Sequence, residues 1–474
     1  MQLLVKNLHI FKSMNWFKKI YEVIKEKSGK RSRAQPLDSN VADAFSNISK
    51  GIHFGRYSDN NKTYRKAQCW YTAEELFKEK KYTESITAFF EYLKDEQEDN
   101  VHFYSQGEDF TFDILQGAKK IEGSGNGKTI KARTSLAIME QQELAVMRRL
   151  LDMNFNLQYT RNALDDNNNL CMIFDSDTST ASPEKLYYSL RELATKADKV
   201  DDLLLADFSG LKTGEQQYTE PLPPAELEMK YYYFQSWIND MLALTGKQNQ
   251  DAFSGAIAYM LAAVVYRIDF LISPHARMQA GLEKISATYW ERKDEITLVE
   301  RNQLMFDALK KINEISTTDF AKSVYRTHST FAIATPAKAE KIKDNIYNAN
   351  KDAKWYIDNL QPEIAVIIIE YGVMYNHFIY SMPAVLTSLA TLFMAALHPG
   401  YFTACGIKEA LYNPADNTFR QDEIEYAADM ALEPYKDKFN KMKWDHSRIK
   451  YTSLTDFCVT FSEQMANLNL ETKR

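Results

Sequence analysis

The chain has 474 residues, 45% of them hydrophobic and 13% aromatic, so it is long enough for two or three domains and is not globally disordered. The formal net charge of -6 argues against a general nucleic-acid-binding protein. The four cysteines are scattered, with no Cys-x-x-Cys or Cys/His cluster. This pattern argues against a structural zinc site and indicates a reducing, cytoplasmic environment.

Basic residues concentrate at the N-terminus, where residues 1–33 contain nine Lys or Arg against two Glu. Within this arm, residues 14–27 have the pattern of a basic amphipathic helix, and Met14 is as good a candidate start as Met1. No signal peptide is predicted. The helix either binds an acidic membrane surface or a partner, or docks on the protein's own body. Residues 34–69 are predicted to be a linker.

A helix hairpin is predicted from Trp70 onward. Apolar residues follow at helical spacing across a short break near Lys80, and Thr72 with Glu75 has the spacing of a capping box. The pattern resembles one tetratricopeptide helix pair, but no second copy occurs at a fixed period, so a repeat array is not predicted. The hairpin is therefore expected to pack against the region that follows it.

Strands are predicted next. Phe110, Phe112 and Ile114 alternate with polar residues, the stretch 130–136 alternates in the same way, and 101–106 is a candidate edge strand. Between them lies the stretch IEGSGNGKTI, whose GNGKT resembles the end of a phosphate-binding loop. The first glycine of that motif would have to occupy the position of Glu122, and both flanking segments alternate as strands. A hairpin turn is therefore predicted here.

The module is predicted to continue with a helix, two strands and a closing helix. The helix runs from about Met139 to Met153, the strands cover 155–160 and 170–175, and a polar turn joins them. The closing helix begins with Ser182 as N-cap and Pro183 in the first turn. Its predicted buried stripe contains Leu186, Leu190, Leu193, Ala197, Val200 and Leu204.

This order of elements, from Trp70 to Phe208, resembles the fold of type III secretion chaperones and the related YbjN proteins. The resemblance rests on GNGKTIKARTSLA, LAVMRRLLDMNFNL, DNNNLCMIFDS and SPEKLYYSLRELATKADKVDDLL, and it covers about 140 of the 474 residues. It implies a module that binds protein segments, often as a dimer, and has no catalytic residues. The large C-terminal part of the chain is not part of the family pattern.

Residues 210–226 are predicted to be a proline-punctuated linker, and residues 227–474 an all-helical domain. Two segments, 254–272 and 364–397, are apolar enough to suggest membrane spans. Because Arg267, Asp269 and Glu370 lie inside them, buried helices of a soluble domain are the preferred interpretation. The predicted fold class is α+β: a helix hairpin with a small antiparallel sheet, followed by a large all-α domain.

Three residues of the helical domain are candidates for a metal site: Glu370, His377 and His398. Glu363, Glu370 and His377 are spaced seven apart on one helix face, and His398 follows a second apolar helix. However, the chain has no Glu-x-x-His pair of the kind a di-iron bundle uses, and seven residues span ~10 Å along a helix. The competing interpretation is that Glu370 and His377 bond to buried partners such as Arg267.

No catalytic residue and no cofactor is predicted. The sequence favours a cytoplasmic, non-enzymatic adaptor that binds a protein or peptide through its α+β module, with a homodimer possible and no nucleic-acid partner. Two alternatives remain open: a metal-dependent enzyme centred on the three candidate ligands, and a protein that reaches a membrane surface through residues 14–27.

Overall fold

The computed structural model describes residues 52–60, 62–95, 98–213, 218–290, 295–407 and 409–472. The predicted amphipathic helix at 14–27 lies outside them. The fold is α+β, with 57% helix and 15% strand, so the predicted class is confirmed. The chain divides into two compact units. Of the described residues, the first unit holds 62–220 and 326–333, and the second holds 52–60, 221–325 and 334–472.

The first unit is the α+β unit. It begins with a helix hairpin and continues into an antiparallel sheet with two further helices. Its helices are α1 Tyr64–Lys78, α2 Tyr82–Leu93, α3 Leu144–Asn154 and α4 Pro183–Asp207. Its strands are β1 Val101–Gln106, β2 Asp109–Gln116, β3 Lys119–Gly125, β4 Thr129–Met139, β5 Arg161–Leu164, β6 Leu170–Asp177 and β7 Leu211–Thr213, and β8 Thr219–Pro221 follows at its end. The sheet order is β1-β2-β3-β4-β6-β5, with β7 paired to β4.

One face of this sheet forms the core of the unit. Phe110, Phe112 and Ile114 of β2 are buried, as their alternation predicts. The long helix α4 packs across β2, β3, β4 and β6. Every residue of its predicted apolar stripe is buried, and the Ser182 side chain caps it by accepting a hydrogen bond from the Lys185 amide. Alternation in the strands and helical spacing in α4 therefore place both elements correctly.

The predictions are wrong at three places in this unit. Helix α1 begins at Tyr64, so Thr72 and Glu75 lie inside it and form no cap. Residue Met139 ends β4, and α3 begins only at Leu144. The predicted strand at 155–160 is a turn, and β5 begins at Arg161.

The turn at 157–160 has a long-range cause. The Glu192 carboxylate of α4 accepts hydrogen bonds from the amides of Gln158, Tyr159 and Thr160, at 3.1–3.3 Å. An acceptor that gathers three successive amides holds the backbone in a turn, because an extended strand points successive amides to opposite sides. Local alternation cannot reveal a partner more than thirty residues away.

Residues 326–333 belong to the α+β unit, although the sequence assigned them to the helical domain. The Gln116 side-chain oxygen accepts hydrogen bonds from the amides of Thr330 and Phe331, and the Thr330 hydroxyl donates to the Leu115 carbonyl at 2.8 Å. Phe331 is fully buried in the core of the unit. The segment therefore completes both the polar bonding and the apolar packing of the sheet end.

The second unit is the helical unit. Two of its helices, Ser254–Ile272 and Pro362–Ile379, are mostly buried, as their apolar composition predicts. The helices are α5 Pro224–Gly246, α6 Ser254–Ile272, α7 Ala276–Trp290, α8 Leu298–Asn313, α9 Thr317–Ala321, α10 Ala339–Asp358, α11 Pro362–Ile379, α12 Ala384–Leu397, α13 Pro399–Ala404, α14 Gln421–Leu432 and α15 Leu454–Ala466. The unit is not purely helical, because short strands occur at β10 Tyr412–Asn413 and β11 Thr418–Phe419, and β9 Tyr325–Thr327 begins in it with Tyr325.

Residues 52–60, part of the predicted linker at 34–69, are bonded to the helical unit. Arg56 is 13% exposed and donates from Nε and one Nη to the Asp269 carboxylate of α6 and from the other Nη to Glu283 of α7. Its guanidinium also lies 4.4 Å from the Phe378 ring centroid. Residues 52–60 are thus held to the helical unit by charge-assisted hydrogen bonds.

Among the described residues, one helix, Ser254–Ile272, is long and apolar enough to cross a membrane by length and composition alone. In the structure, 89% of its most apolar stretch is buried inside the protein. That degree of burial is also what a core helix of a globular domain shows.

Candidate functional site

The structure brings together two of the three predicted metal-site residues, Glu370 and His398. Glu370 lies in α11 and is 1% exposed. Arg267 of α6 donates to it through Nε and Nη2, both at 2.7 Å, and His398 Nε2 donates at 3.1 Å. The expected bond between Glu370 and Arg267 is therefore present, as a two-pronged contact inside the unit.

Charge and burial oppose each other in this cluster. Burial alone raises the pKa of Glu370, but the Arg267 charge and the hydrogen bonds to the carboxylate outweigh it and lower the pKa to about 2. Burial and the nearby Arg267 charge lower the pKa of His398 below its usual value. At neutral pH the cluster is therefore a guanidinium–carboxylate pair with a neutral imidazole beside it.

His377 is not part of this cluster. Its Nδ1 lies 3.2 Å from the Val373 carbonyl in the preceding turn of α11, and its ring meets Phe270 edge-on at 5.2 Å. Among the described residues, no group of three His, Cys, Asp or Glu side chains is placed to hold a metal ion. The three predicted ligands are therefore divided between two separate environments.

Burial gives His377 a measurable pH dependence. It lowers the pKa of this residue to about 4, whereas an unfolded histidine titrates near 6.5. Between these values the unfolded chain binds a proton that the folded chain excludes. The free energy of unfolding therefore decreases as the pH is lowered, by about 1 kcal/mol per pH unit. We expect His377→Gln to lose less stability than wild type between pH 6.5 and 5 in urea unfolding. Parallel curves for the two proteins would contradict a neutral buried His377.

A cavity of about 430 Å³ opens beside the Arg267–Glu370–His398 cluster. Its walls come from α5, α6, α11, the end of α12 and the start of α15. The apolar lining residues are Trp237, Met241, Leu244, Pro362, Val366, Ile367, Leu397 and Leu454. The size and the mainly apolar lining are those of a small-molecule site.

The α+β unit carries a second candidate site, on the outer surface of α3. Leu144 is 85% exposed, Leu151 68% and Phe155, directly after the helix, 91%. At 0, 7 and 11 residues they share one side of the helix, while Val146 and Leu150 are buried in the core. We refer to Leu144, Leu151 and Phe155 as the α3 apolar surface.

Sequence analysis missed the α3 apolar surface, although a signal was present. Apolar residues 144, 146, 147, 150, 151, 153 and 155 cover more than half the circumference of a helix, which is more than one core can bury. Because the sequence pattern places Phe155 and Leu157 in a predicted strand, they are not counted with the helix and the excess of apolar residues is overlooked.

The sheet of the α+β unit does not expose its apolar face. The face with Phe112 is covered by the helices of the unit, and the opposite face is charged. Lys120 lies 2.6 Å from Glu122 on that face, and Arg161 forms an ion pair with Asp175 at 2.5 Å. The candidate edge strand 101–106 is confirmed as β1 at the end of the sheet, with Tyr104 68% exposed.

The stretch GNGKT forms a turn between β3 and β4, as predicted. The Asn126 side-chain oxygen accepts hydrogen bonds from the amides of Lys128 and Thr129, both at 2.9 Å, and Lys128 is exposed. Gly125 and Gly127 do not have positive φ. Backbone conformation therefore does not require glycine at these two positions.

Packing gives Gly125 a different reason. A Cβ at Gly125 would lie 2.3 Å from the Phe110 ring, its cross-strand neighbour. We expect Gly125→Val to destabilise the α+β unit by about 1–3 kcal/mol through overpacking. In contrast, Lys128→Ala should change stability by no more than about 0.5 kcal/mol, as at an ordinary surface site. Thermal unfolding of both variants measures this, and a larger loss in Lys128→Ala would contradict the turn geometry.

Comparisons of the chain with protein-family models, with curated proteins and with solved structures found no match.

Proposed function

We propose that this protein is a non-enzymatic, chaperone-like adaptor of the cytoplasm whose α+β unit binds a protein partner. The observation that carries the proposal is the α3 apolar surface. Scattered exposed apolar residues are ordinary, but three large ones on one side of a single helix mark a protein-binding surface. The partner would bury Phe155 and Leu151 as central contacts, since large apolar side chains provide most of the binding energy of such interfaces.

The charges beside the α3 apolar surface indicate the partner's chemistry. Arg148 and Arg149 are exposed on the same helix, and with Asp152, which is also exposed there, they leave a net charge of +1. A partner segment with apolar residues flanked by Asp or Glu complements this arrangement, and the charges would favour encounter and orientation. A second copy of the chain would also bury the apolar side chains, but it would bring the same arginines together.

A residue-specific crosslinking experiment tests the proposal. A photoreactive phenylalanine analogue placed at Phe155 should form a discrete crosslinked species with another protein in cells of the source organism. The same analogue at Leu360, an 89% exposed leucine of the helical unit, provides the control. Crosslinking to a second copy would assign the surface to a homodimer. Equal crosslinking from Phe155 and Leu360, or no crosslinking from either, would contradict a partner site on α3.

Two adjacent leucines of α3, Leu150 and Leu151, distinguish the core of the α+β unit from the α3 apolar surface. Leu150 is 5% exposed and Leu151 68% exposed. We expect Leu150→Ala to cost about 2–5 kcal/mol and Leu151→Ala no more than about 0.5 kcal/mol in denaturant unfolding. Partner binding should show the opposite order: Leu151→Ala should weaken it more than Leu150→Ala does, because binding depends on the exposed residue. A large stability loss in Leu151→Ala would mean that this side chain belongs to the core and not to a binding surface.

The two alternatives have simple tests. Stoichiometric iron, zinc or manganese in the purified protein would favour a metal-dependent enzyme in the helical unit. Sedimentation of the protein with anionic vesicles, lost when residues 14–27 are removed, would favour the membrane-surface alternative.

A further inference from the structure

We infer that the cavity in the helical unit is a binding site for an uncharged, mainly apolar small molecule with an oxygen acceptor at one end. The site is separate from the proposed protein-binding surface, and its test does not depend on that proposal. Three observations support it: the unused hydrogen-bonding capacity of Arg267, the apolar lining of the cavity, and the charges at its rim.

Arg267 is the first observation. The residue lines the cavity and is 7% exposed. Glu370 takes hydrogen bonds from Nε and Nη2 and so fixes the orientation of the guanidinium plane. Among the described residues, Nη1 has no hydrogen-bond partner. Its two N–H groups are therefore available for an oxygen of a bound molecule.

The lining restricts the rest of the ligand. Trp237 lies against the polar end of the cavity, with its ring centroid 5.7 Å from the Arg267 guanidinium carbon and 5.7 Å from the His398 ring. Apart from Thr455 and the carboxylates of Asp240 and Glu363, the residues that line the remaining wall are aliphatic and offer no side-chain hydrogen bond to a polar chain. An alkyl or aromatic body would therefore lie against them, with its polar end at Arg267.

The charges around the cavity argue against an anion. Glu370 already neutralises Arg267, the buried cation of the cavity lining. The ionisable side chains among the remaining lining residues are His398 and the exposed carboxylates Asp240 and Glu363. A carboxylate ligand would meet two like charges on entry and find no unpaired positive charge inside. A carbonyl or hydroxyl oxygen accepts from Nη1 without that penalty.

The test uses three ligands that share one alkyl chain: 1-octanol, octanoate and octylammonium. Their binding to the full-length protein is measured by isothermal titration calorimetry, with tryptophan fluorescence as a second readout. We expect saturable binding of 1-octanol and an affinity for octanoate that is lower by about tenfold or more. Tighter binding of octanoate or octylammonium than of 1-octanol would overturn the neutral-ligand assignment, and no saturable binding of 1-octanol would overturn the site.

A second test uses a variant that fills the cavity with a larger side chain. It does not alter the buried ion pair between Arg267 and Glu370. Val366 is half-buried on the cavity wall, so Val366→Trp should occupy the space while leaving Arg267 and Glu370 paired. We expect it to weaken 1-octanol binding by about tenfold or more while the protein retains its unfolding transition. Leu304→Trp, at a 48% exposed site on α8, controls for the added indole and should bind as wild type does. Unchanged binding in folded Val366→Trp would place the ligand elsewhere.

Discussion

Replacing Glu370 with leucine should destabilise the helical unit by about 3–5 kcal/mol. The substitution removes the only carboxylate that Arg267 contacts among the described residues, and it leaves a guanidinium that is 7% exposed. An arginine cannot relieve this cost by losing its proton, because its pKa is too high. Urea unfolding followed by tryptophan fluorescence measures the loss.

The double variant Arg267→Met, Glu370→Leu provides the control for Glu370→Leu. Removing both charges removes the uncompensated guanidinium, so most of the lost stability should return. The double-mutant cycle isolates the coupling between the two side chains. Additive losses in the two single variants would contradict a direct buried pair between α6 and α11.

Replacing Phe112 with alanine should destabilise the α+β unit by about 3–5 kcal/mol. Phe112 is 2% exposed, and its ring lies 4.5 Å from that of Phe90 of α2. It also covers Gly123 on the neighbouring strand, where an added Cβ would lie 2.0 Å from the ring. Loss of the ring would therefore leave a cavity and uncover the glycine.

Tyr104→Ala is the matched control for Phe112→Ala. Tyr104 is an aromatic residue of the same sheet, on β1, and is 68% exposed. Its replacement should change stability by no more than about 0.5 kcal/mol. Equal losses for the two aromatic residues in chemical unfolding would contradict the assignment of the core to the Phe112 face.

Local sequence patterns predicted the elements that depend on local spacing. The strands around Phe112 and the stripe of α4 follow from the period of their apolar residues, the hairpin turn at Lys128 from its turn residues, and the buried helix α6 from its continuous apolar run. These patterns work because each element buries one face, or all faces, against a single core.

Two of the errors occur where a distant residue decides the local structure. The turn before β5 depends on Glu192, and the position of 326–333 depends on Gln116. The candidate metal residues could be selected by their chemistry, but only the fold shows that Glu370 joins Arg267, 103 positions away, and that His377 does not. The cavity beside them is a property of five helices and has no local signature.

The most direct test of the central claim is quantitative capture of partners by the full-length protein and by its α3 variants. Wild type, Phe155→Asp, Leu151→Asp and the exposed-site control Leu360→Asp are compared in parallel, after thermal unfolding has shown that all four are folded. The proposal predicts a partner that is enriched with wild type and Leu360→Asp and is lost with both α3 variants. A partner retained equally by all four proteins would contradict the assignment of protein binding to the α3 apolar surface.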